Sequence, residues 1–491
     1  MLSPEAYVDA AAASPVNDRW VFAGLLLLLV WAPLPLGSNR VWAIGILLLA
    51  AFALLVGAVW AWRGQMQNAQ LRLSRFRYPA GLLATMVVLS WLQTVPVPAP
   101  WVSAVSPMAA LAQGNADTMT LSLDVFQSQV MAGLSFTYLC VFVVAVLCVR
   151  TASRLDNLVH ALVWSGVLQA VIGAVLLSIH AKYRLFFIDV LHDHMNGTYV
   201  NQNHLAGYLC MCLSVGVGLM LARLGDSLRT RPGWRARVTA VIEFILSATM
   251  RLRLLLVIMV IALVLTRSRM GNTAFFVAML VVGLAGVVLA RKTAPRTMAL
   301  IISLIVIDVM IVGTGVGLEK VVERIQETEL IGVEGKSESI EARTGAARAA
   351  LALVNDFPVF GSGGGSFYNV FLSYRNPKYG YAFIDHTHND YVEIACDYGV
   401  PGLAILGLVV ALTLGTVLRV MARRRSPLPW GVAFGVAMAI VGLLLHSTVD
   451  FNMQIPANAL TFVVILAMGW VASELPSPGR RHQKSGVGVA T

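Results

Sequence analysis

Charged side chains are scarce in this sequence. Only 12% of the 491 residues are Asp, Glu, Lys or Arg, whereas about 25% is usual in a soluble domain. This shortage excludes an ordinary cytosolic enzyme and a disordered regulator. Cysteine is scarce too, and the 5 cysteines show neither metal-ligand spacing nor the even number of a disulfide framework. A secreted disulfide scaffold is therefore excluded as well.

Apolar residues, by contrast, are abundant and lie in long runs. They make up 58% of the chain, and the mean hydropathy is +0.75. A membrane-spanning helix needs roughly 20 mostly apolar residues. About twelve runs approach that length: 20–36, 41–62, 78–95, 129–149, 158–178, 203–222, 254–266, 273–290, 297–316, 399–418, 429–447 and 458–473. We expect an all-α integral membrane protein with about twelve transmembrane helices.

The distribution of basic residues predicts how the chain is oriented. Placing both termini in the cytoplasm satisfies the positive-inside rule, because the basic clusters then face inward. These clusters are Arg63, Arg72, Arg75 and Arg77, then Arg150 and Arg154, residues 223–253, Arg291, Lys292 and Arg296, Arg423, Arg424 and Arg425, and Arg480 and Arg481. The net charge of +11 thus indicates cytoplasmic anchors and no nucleic-acid partner.

One long outer segment interrupts the apolar runs. It follows nine helices over 1–316, occupies 317–398, and precedes the last three helices over 399–473 and a cytoplasmic tail over 474–491. Loops longer than about 15 residues are usually functional or disordered. This one is acidic at first, then contains a helical stretch near 341–354 and a glycine-rich turn, so we expect a small folded periplasmic subdomain. A second outer segment, about 96–128, is rich in proline and then polar.

Arginines on the outer side are exceptions to the charge rule. Arg267 and Arg269 lie in a tight connection between the seventh and eighth runs. Guanidinium groups suit bidentate binding of phosphate or carboxylate, but an arginine pair snorkelling at a helix end is an equal alternative. Arg343 shares a helix face with Ala347 and Leu351, which would point it towards the membrane core. A solvated pair with Glu341 is the competing interpretation.

Histidines and carboxylates precede the tenth run. His386 and His388 are two residues apart, with acidic neighbours, and the segment continues into a membrane helix: Asp385, His386, Thr387, His388, Asn389, Asp390, Tyr391 and Glu393. A neutral histidine beside a carboxylate is a suitable general base near pH 7. Zinc binding and a polar surface loop are alternatives, although the chain has no HExxH pattern or further Cys/His cluster.

Two more polar clusters border apolar runs on the outer side. One contains His446, Ser447, Asp450, Phe451 and Asn452, and the other contains Asn201, Gln202, Asn203 and His204. Irregular polar backbone at membrane depth is tolerated where it lines a cavity in the protein. Other signatures are missing: the glycine-rich turn lacks the Lys-Ser/Thr of a P-loop, and there is no GxSxG elbow or DxD-like pair.

Taken in order, these motifs resemble the bacterial O-antigen ligase and O-antigen polymerase superfamily. The resemblance covers about residues 190–470 and is carried by the following strings: Gly197-Thr198-Tyr199-Val200-Asn201-Gln202-Asn203-His204, Ser268-Arg269-Met270-Gly271, Arg343 ahead of Asp356-Phe357-Pro358, His388-Asn389-Asp390-Tyr391 with Glu393, His446-Ser447, Asp450-Phe451 and Pro456-Ala457-Asn458. The family's short serine-arginine motif is extended here to Arg267-Ser268-Arg269, which leaves open which arginine faces the donor.

The resemblance implies an inner-membrane glycosyltransferase of GT-C type that uses neither metal nor cofactor. Its donor is a glycan on undecaprenyl diphosphate, presented at the periplasmic face among the membrane lipids. A ligase transfers this glycan to lipid A–core, and a polymerase transfers it to another lipid-linked glycan. Arg269 and Arg343, with Arg267, match the arginines that hold the diphosphate, and His388 matches the essential histidine. The supporting residues are Asn201, Asn203, His204, His386, Asn389, Asp390, Tyr391, Glu393, His446 and Asp450.

The sequence leaves several functions open. Ligase and polymerase share these motifs, and an exopolysaccharide polymerase is a further alternative. A secondary transporter also commonly has about twelve helices, but it would need a charged site at the membrane centre, whereas the polar clusters lie at the outer mouth. A non-catalytic scaffold for polysaccharide assembly is disfavoured by the arginines and the histidine.

Overall fold

The regular structure of this chain is almost entirely helical. The computed structural model describes residues 16–181, 194–223, 247–289, 340–374, 384–423 and 426–475, with side chains of the 340–356 helix from residue 345 onward. The helices are α1 Arg19–Trp31, α2 Val41–Trp62, α3 Met66–Ser74, α4 Arg77–Leu92, α5 Ala99–Val105, α6 Pro107–Gln113, α7 Val125–Cys148, α8 Ala152–Ser178, α9 Gln202–Arg223, α10 Ala248–Leu265, α11 Arg269–Leu289, α12 Ile340–Asp356, α13 Phe367–Val370, α14 Asp390–Arg423, α15 Pro427–His446 and α16 Pro456–Glu474.

Within these residues, 9 helical segments are long and apolar enough to cross a membrane. They are Val41–Ser74, α7, α8, α9, α10, α11, α14, α15 and α16. Helices α1, of 13 residues, and α4, of 16 residues, are shorter. The chain is therefore an all-α multi-pass membrane protein, as the apolar runs predict. The ninth predicted run (297–316), the acidic stretch 317–339, the basic stretch 224–246 and the tail from 476 lie outside the described residues.

The tenth helix begins earlier than the apolar run indicates. The prediction was 399–418, but α14 starts at Asp390 and is broken only at Gly399, which has φ +70°. The polar segment 390–398 is helical because Asn389 caps it: the backbone N–H groups of Tyr391 and Val392 donate to Asn389 Oδ1 at 3.0 and 3.1 Å. The predicted boundary at 398 thus falls inside a helix.

Three helices form the centre of the bundle. The most apolar stretch of α9 is 94% buried, compared with 28% for that of Val41–Ser74, and α15 and α16 pack beside it. Glycines permit the closest approach, since a Cβ on Gly218 of α9 would lie 2.2 Å from the Gly431 carbonyl oxygen of α15. Small residues at helix contacts are a common device of membrane bundles. The outer ends of these central helices carry the polar clusters.

Basic residues join several helices at the opposite end. Buried Asp18, just before α1, accepts hydrogen bonds from Arg150 Nη2 at 2.9 Å and Arg154 Nη2 at 2.7 Å, at the junction of α7 and α8. Arg72 of α3 donates to the Val149 carbonyl at 2.7 Å. These predicted inner anchors are therefore also structural clamps, because each charge is paired or donates to helix-end carbonyls.

The two outer segments share one small apolar core. Strands β1 Val97–Pro98 and β2 Thr118–Met119 pair antiparallel, and with α5 and α6 they pack on α12 and α13. The core contains Val102, Ala109, Ala110, Met119, Ala350, Leu353, Phe357, Phe367, Phe371 and Cys396. The sequence did not predict this pairing of 96–123 with 340–374, because the two segments are separated by five membrane helices of the described chain.

The packed face of α12 differs from the predicted one. Ala346, Ala350 and Leu353 are buried, whereas Leu351 is 50% exposed. The expectation that Leu351 lies on the packed face with Arg343 and Ala347 is therefore wrong. The helix packs on the small apolar core through Ala350 and Leu353 instead. The helix itself, Ile340–Asp356, confirms the helical stretch expected near 341–354.

Candidate functional site

The first part of the site is the connection between α15 and α16. Its centre is Asp450, whose carboxylate is buried and lies 3.7 Å from His204 Nε2 and 3.7 Å from His446 Nε2. Burial alone would raise the pKa of Asp450, but the two histidines and the Phe451 N–H, which donates to Oδ1 at 2.9 Å, hold it well below its usual range. Asp450 is therefore an ionised carboxylate between two imidazoles from different helices.

Phe451 makes the central contact of the site. Its ring is stacked on His386, with centroids 3.9 Å apart, and meets His204 edge-on at 4.6 Å and His388 edge-on at 5.1 Å. Three histidines from two distant segments therefore surround one aromatic ring. Phe451 was not among the predicted site residues, although it lies in the polar string that begins at His446. In the sequence, only its position next to Asp450 pointed to a role in the site.

Two histidines lie on the short segment that enters α14, and they differ in environment. His386 Nδ1 lies 2.5 Å from Glu393 Oε1. Burial alone would lower the pKa of His386, but the charge and hydrogen bond of Glu393, with smaller effects of Asp385 and Asp397, raise it to about 9. His386 is consequently an imidazolium at neutral pH and forms a charged pair with Glu393.

His388 has an unusual backbone conformation. Its φ is +52°, in the left-handed region that residues other than glycine rarely adopt. Neighbouring bonds hold the turn: Thr387 Oγ1 donates to Glu393 Oε2 at 3.1 Å, and Asn389 Nδ2 donates to the Thr448 carbonyl at 2.9 Å. Strained conformations of this kind concentrate at functional sites. The turn therefore presents His388 at a defined place beside Phe451.

Asp390 and Tyr391 tie this turn to the end of α15. The buried Asp390 carboxylate accepts a hydrogen bond from Ser447 Oγ at 2.6 Å and from the Met453 N–H at 3.1 Å. Tyr391 Oη donates to the Leu444 carbonyl at 2.7 Å. These two predicted supporting residues thus join α14 to the connection that carries Asp450.

The start of α9 completes the histidine cluster. Asn201 Oδ1 accepts a hydrogen bond from the Asn203 N–H at 2.8 Å, which caps the helix, and His204 follows in the first turn. Asn458 of α16 donates from Nδ2 to the His204 carbonyl at 3.0 Å and accepts from Tyr199 Oη at 3.0 Å. Asn201 and Asn203 therefore shape the helix start, while His204 reaches Asp450. Asn458 is a structural link that the prediction did not include.

The arginine segment lies against the same cluster. Ser268 caps α11, since its Oγ accepts a hydrogen bond from the Gly271 N–H at 3.2 Å. Gly271 is packed so closely that a Cβ there would lie 2.5 Å from Ala206 Cβ of α9 and 3.3 Å from His446 Cε1. The backbone that carries Arg267 and Arg269 is therefore in contact with the helix ends that bear the histidines.

The three candidate arginines lie in two segments, at the start of α11 and in the first turn of α12. Arg267 and Arg269 are exposed, and Arg267 has φ +54°, again in the left-handed region. Arg343 lies in the first turn of α12, and its side chain is outside the described residues. Among the residues whose side chains are described, no group of three His, Cys, Asp or Glu is placed to hold a metal ion.

A family model described as O-antigen ligase matches residues 254–407. The chain is similar to this family over residues 254–407. The match confirms the resemblance found in the sequence, and it indicates an activity of the O-antigen ligase or polymerase type, with lipid-linked glycan substrates. No curated protein is similar enough to the chain to be matched.

The matched range contains only part of the cluster. It begins within α10, includes α11 and α12 and ends within α14, so it contains both candidate arginine segments, His386 and His388. His204, His446, Asp450 and Phe451 lie outside the matched range. The fold brings them into contact with it through Phe451 and Gly271.

Proposed function

We propose that this protein is an inner-membrane glycosyltransferase that transfers a glycan from undecaprenyl diphosphate to an acceptor hydroxyl at the periplasmic face. For a ligase, the acceptor is lipid A–core. The observation that carries the proposal is the meeting of His204, His386 and His388 around Phe451, beside the start of α11. Under this proposal the histidines and the arginine segments line one outer mouth, where a lipid-linked donor enters from the bilayer.

The reaction needs two kinds of group, a cation at the leaving diphosphate and a base at the acceptor hydroxyl. The acceptor oxygen attacks C1 of the donor sugar, the bond from C1 to the diphosphate oxygen breaks, and undecaprenyl diphosphate leaves with the bonding electrons. Negative charge develops on this leaving group. Arg269, Arg343 and Arg267 are the groups that we assign to stabilise it, since cationic donors in a water-poor site act where charge develops.

His388 is the residue that we assign as general base. It accepts the proton of the acceptor hydroxyl as the new bond forms, a contribution of about 10²–10⁴-fold. His386 is less suited to this role, because its pKa of about 9 leaves it protonated at neutral pH. The imidazolium of His386 and the carboxylate of Asp450 instead provide fixed charges around the reacting groups.

The proposal extends to the whole chain. It includes about twelve spans in a GT-C-type fold, both termini in the cytoplasm, and a periplasmic loop subdomain over 317–398 before the tenth helix. Residues 1–316 and 399–473 supply the spans, and 474–491 form the cytoplasmic tail. The reaction requires no metal or other cofactor under this proposal, since arginines take the place of a cation at the diphosphate.

The direct test is glycan transfer by purified variants with a lipid-linked donor. Arg269→Ala, Arg343→Ala and His388→Ala should each reduce transfer by at least about 100-fold. His180→Ala, an exposed histidine at the outer end of α8, and Arg253→Ala, near the start of α10, are matched controls and should retain activity. Full activity in the first three variants would contradict the site assignment.

His388→Asn separates chemistry from backbone strain. Asparagine tolerates the left-handed conformation better than alanine does, so this variant should keep the turn and its stability. We expect the same loss of transfer as for His388→Ala, with an unchanged melting temperature. Restored activity in His388→Asn would mean that the backbone turn, and not the imidazole, is what the reaction requires.

The acceptor class is tested by the lipopolysaccharide of a deletion strain. A ligase predicts loss of all O-antigen from the core. A single capped repeat would instead assign the protein as a polymerase of O-antigen, and loss of a secreted polysaccharide with normal lipopolysaccharide would assign it to exopolysaccharide. Uptake of a solute into proteoliposomes that lack lipid-linked sugar would favour a transporter.

A further inference from the structure

A separate pocket lies at the opposite end of the bundle from the histidine cluster. Its volume is about 440 Å³, and it opens between the start of α8, the end of α9 and the start of α10. The described residues that line it are His160, Trp164, Arg223, Ala248, Arg251, Leu252, Leu254 and Leu255. The pocket therefore combines basic and apolar groups, and nothing in the proposed reaction uses it.

Among the described residues around this pocket, the basic side chains exceed the acidic ones. Asp156 accepts a hydrogen bond from Arg223 Nη2 at 3.0 Å, and His160 Nδ1 lies 2.8 Å from the Asp156 backbone carbonyl oxygen. Arg251 is exposed and forms no ion pair with an acidic residue in the part of the chain that the structure describes. The carboxylate of Asp156 is thus paired with Arg223, and the charge of Arg251 is left for a ligand.

Two exposed apolar stripes run away from the pocket along the membrane helices. Each stripe begins with a residue that lines the pocket and continues at helical spacing on the same face. The exposed residues are Trp164, Val171 and Val175 on α8, and Leu254, Ile258, Ile261 and Leu265 on α10. A molecule whose charged end occupies the pocket would therefore lay an apolar body along this groove.

We propose that this pocket binds an anionic glycerophospholipid from the adjacent leaflet, with its phosphate on Arg251 and its acyl chains along the two stripes. A guanidinium group is well suited to phosphate. The pocket lies where the arginine-rich ends of the helices meet, which is the side that the positive-inside rule assigns to the anionic cytoplasmic leaflet. Basic pockets between helices on that side are typical lipid headgroup sites.

A lipid accounts for both halves of the pocket, whereas a soluble phosphate would use only Arg251 and leave the apolar stripes without a role. One arginine near the membrane surface favours an anionic lipid about fivefold over a neutral one. The proposal is independent of glycan transfer, since it rests on the described helices, their insertion in a membrane and the orientation that the positive-inside rule predicts.

The test uses Trp164 as an internal probe. The full-length protein is reconstituted in phosphatidylcholine vesicles that contain one added lipid brominated on its acyl chains. This lipid is either brominated phosphatidylglycerol or, at the same mole fraction, brominated phosphatidylcholine. Bromine quenches a nearby indole, and the Trp164 contribution is obtained as the difference from Trp164→Phe. We expect the brominated phosphatidylglycerol to occupy the site about fivefold more often, and hence to quench Trp164 more strongly.

Two arginine variants and one competitor decide the outcome. Arg251→Ala should remove the preference for the anionic lipid, whereas Arg253→Ala, two residues along the same helix and outside the pocket lining, should retain it. Equal quenching by the two brominated lipids in the unmodified protein would overturn the proposal, even if Arg251→Ala failed to fold. Loss of the preference on adding inorganic phosphate, at ionic strength matched with chloride, would overturn it in favour of a soluble anion.

Discussion

At the scale of single residues, two histidines that are two positions apart have different properties. His386 is stacked on Phe451 and paired with Glu393, and its pKa is raised to about 9. His388 meets the same ring edge-on from a left-handed turn. The sequence presents both as histidines beside carboxylates, so only their surroundings distinguish a fixed charge from a candidate base.

The pair of His386 and Glu393 predicts a pH-dependent stability. The pKa of His386 in the folded protein lies above its ordinary value of about 6.5, so the stabilisation is complete below that pH and is lost as the pH rises through about 9. Glu393→Gln should therefore lower the stability by about 2 kcal/mol at pH 6 and by less at high pH, measured by thermal unfolding in detergent.

The control for this prediction is a carboxylate in a surface pair. Glu474 Oε2 lies 2.7 Å from Arg75 Nη1, and both side chains are more than a third exposed. Exposed pairs contribute roughly 0–1 kcal/mol, so Glu474→Gln should change little at any pH. A loss for Glu393→Gln that is the same at low and high pH would show that the missing hydrogen bonds to Thr387, and not the charge pair, cause it.

At the scale of elements, the break in α14 is held by the glycine-rich turn of the outer subdomain. The Ser362 N–H donates to the Cys396 carbonyl at 2.8 Å, and the Gly365 N–H donates to Asp397 Oδ2 at 2.8 Å. The Val400 N–H in turn donates to the Pro358 carbonyl at 2.9 Å. The turn therefore satisfies backbone groups that the broken helix leaves open, which is a structural role and not phosphate binding.

Gly399 should be intolerant of any side chain. It has φ +70°, and a Cβ there would lie 2.4 Å from the Val359 carbonyl oxygen. Gly399→Ala should cost more than about 1 kcal/mol, since it adds a clash with backbone to an unfavourable φ. Thermal unfolding and glycan transfer should both decline, because the break sets the direction of the helix turn that carries Glu393.

Gly407 in the same helix provides the matched comparison. A Cβ there would meet nothing within 4 Å, so Gly407→Ala should be neutral or stabilise the helix by up to about 1 kcal/mol. If both variants behaved alike, the conformation at Gly399 would not be what orients the start of α14.

At the scale of the whole molecule, the described residues form two apolar cores with different roles. The large one holds the membrane helices together around α9, α15 and α16, and the small one joins the segments 96–123 and 340–374. The polar clusters lie where the central helices end, between these cores. The predicted orientation places this end at the periplasm.

Cysteine labelling tests that orientation. All 5 native cysteines are buried, so the background reaction with a membrane-impermeant maleimide should be low. Ser103→Cys, exposed on α5, should react in intact spheroplasts, whereas Gln70→Cys, exposed on α3, should react only after permeabilisation. Reaction of Gln70→Cys before permeabilisation would reverse the proposed topology, and reaction of the unmodified protein would call for a cysteine-free background.

Much of the fold could be predicted because its signals are local. The membrane class, most helices and the helix near 341–354 follow from apolar runs and their periodicity. The start of α14 could not be predicted from hydropathy, since Asp390 and Glu393 are polar residues in a helix capped by Asn389. The core that 96–123 and 340–374 share could not be predicted either, because no local pattern indicates which distant segments pack together.

A helical membrane protein with exceptional arginines and histidines follows from the linear chain, since apolar runs and charge placement are local properties. Which of those residues meet depends on how the helices pack. His204 and His446 are separated by a long stretch of chain, and they converge because glycine-mediated packing of α9, α11 and α15 brings the helix ends together. His388 joins them because Asp390 and Tyr391 tie the start of α14 to the end of α15. Phe451 and Asp450 complete the cluster through contacts that no local pattern records.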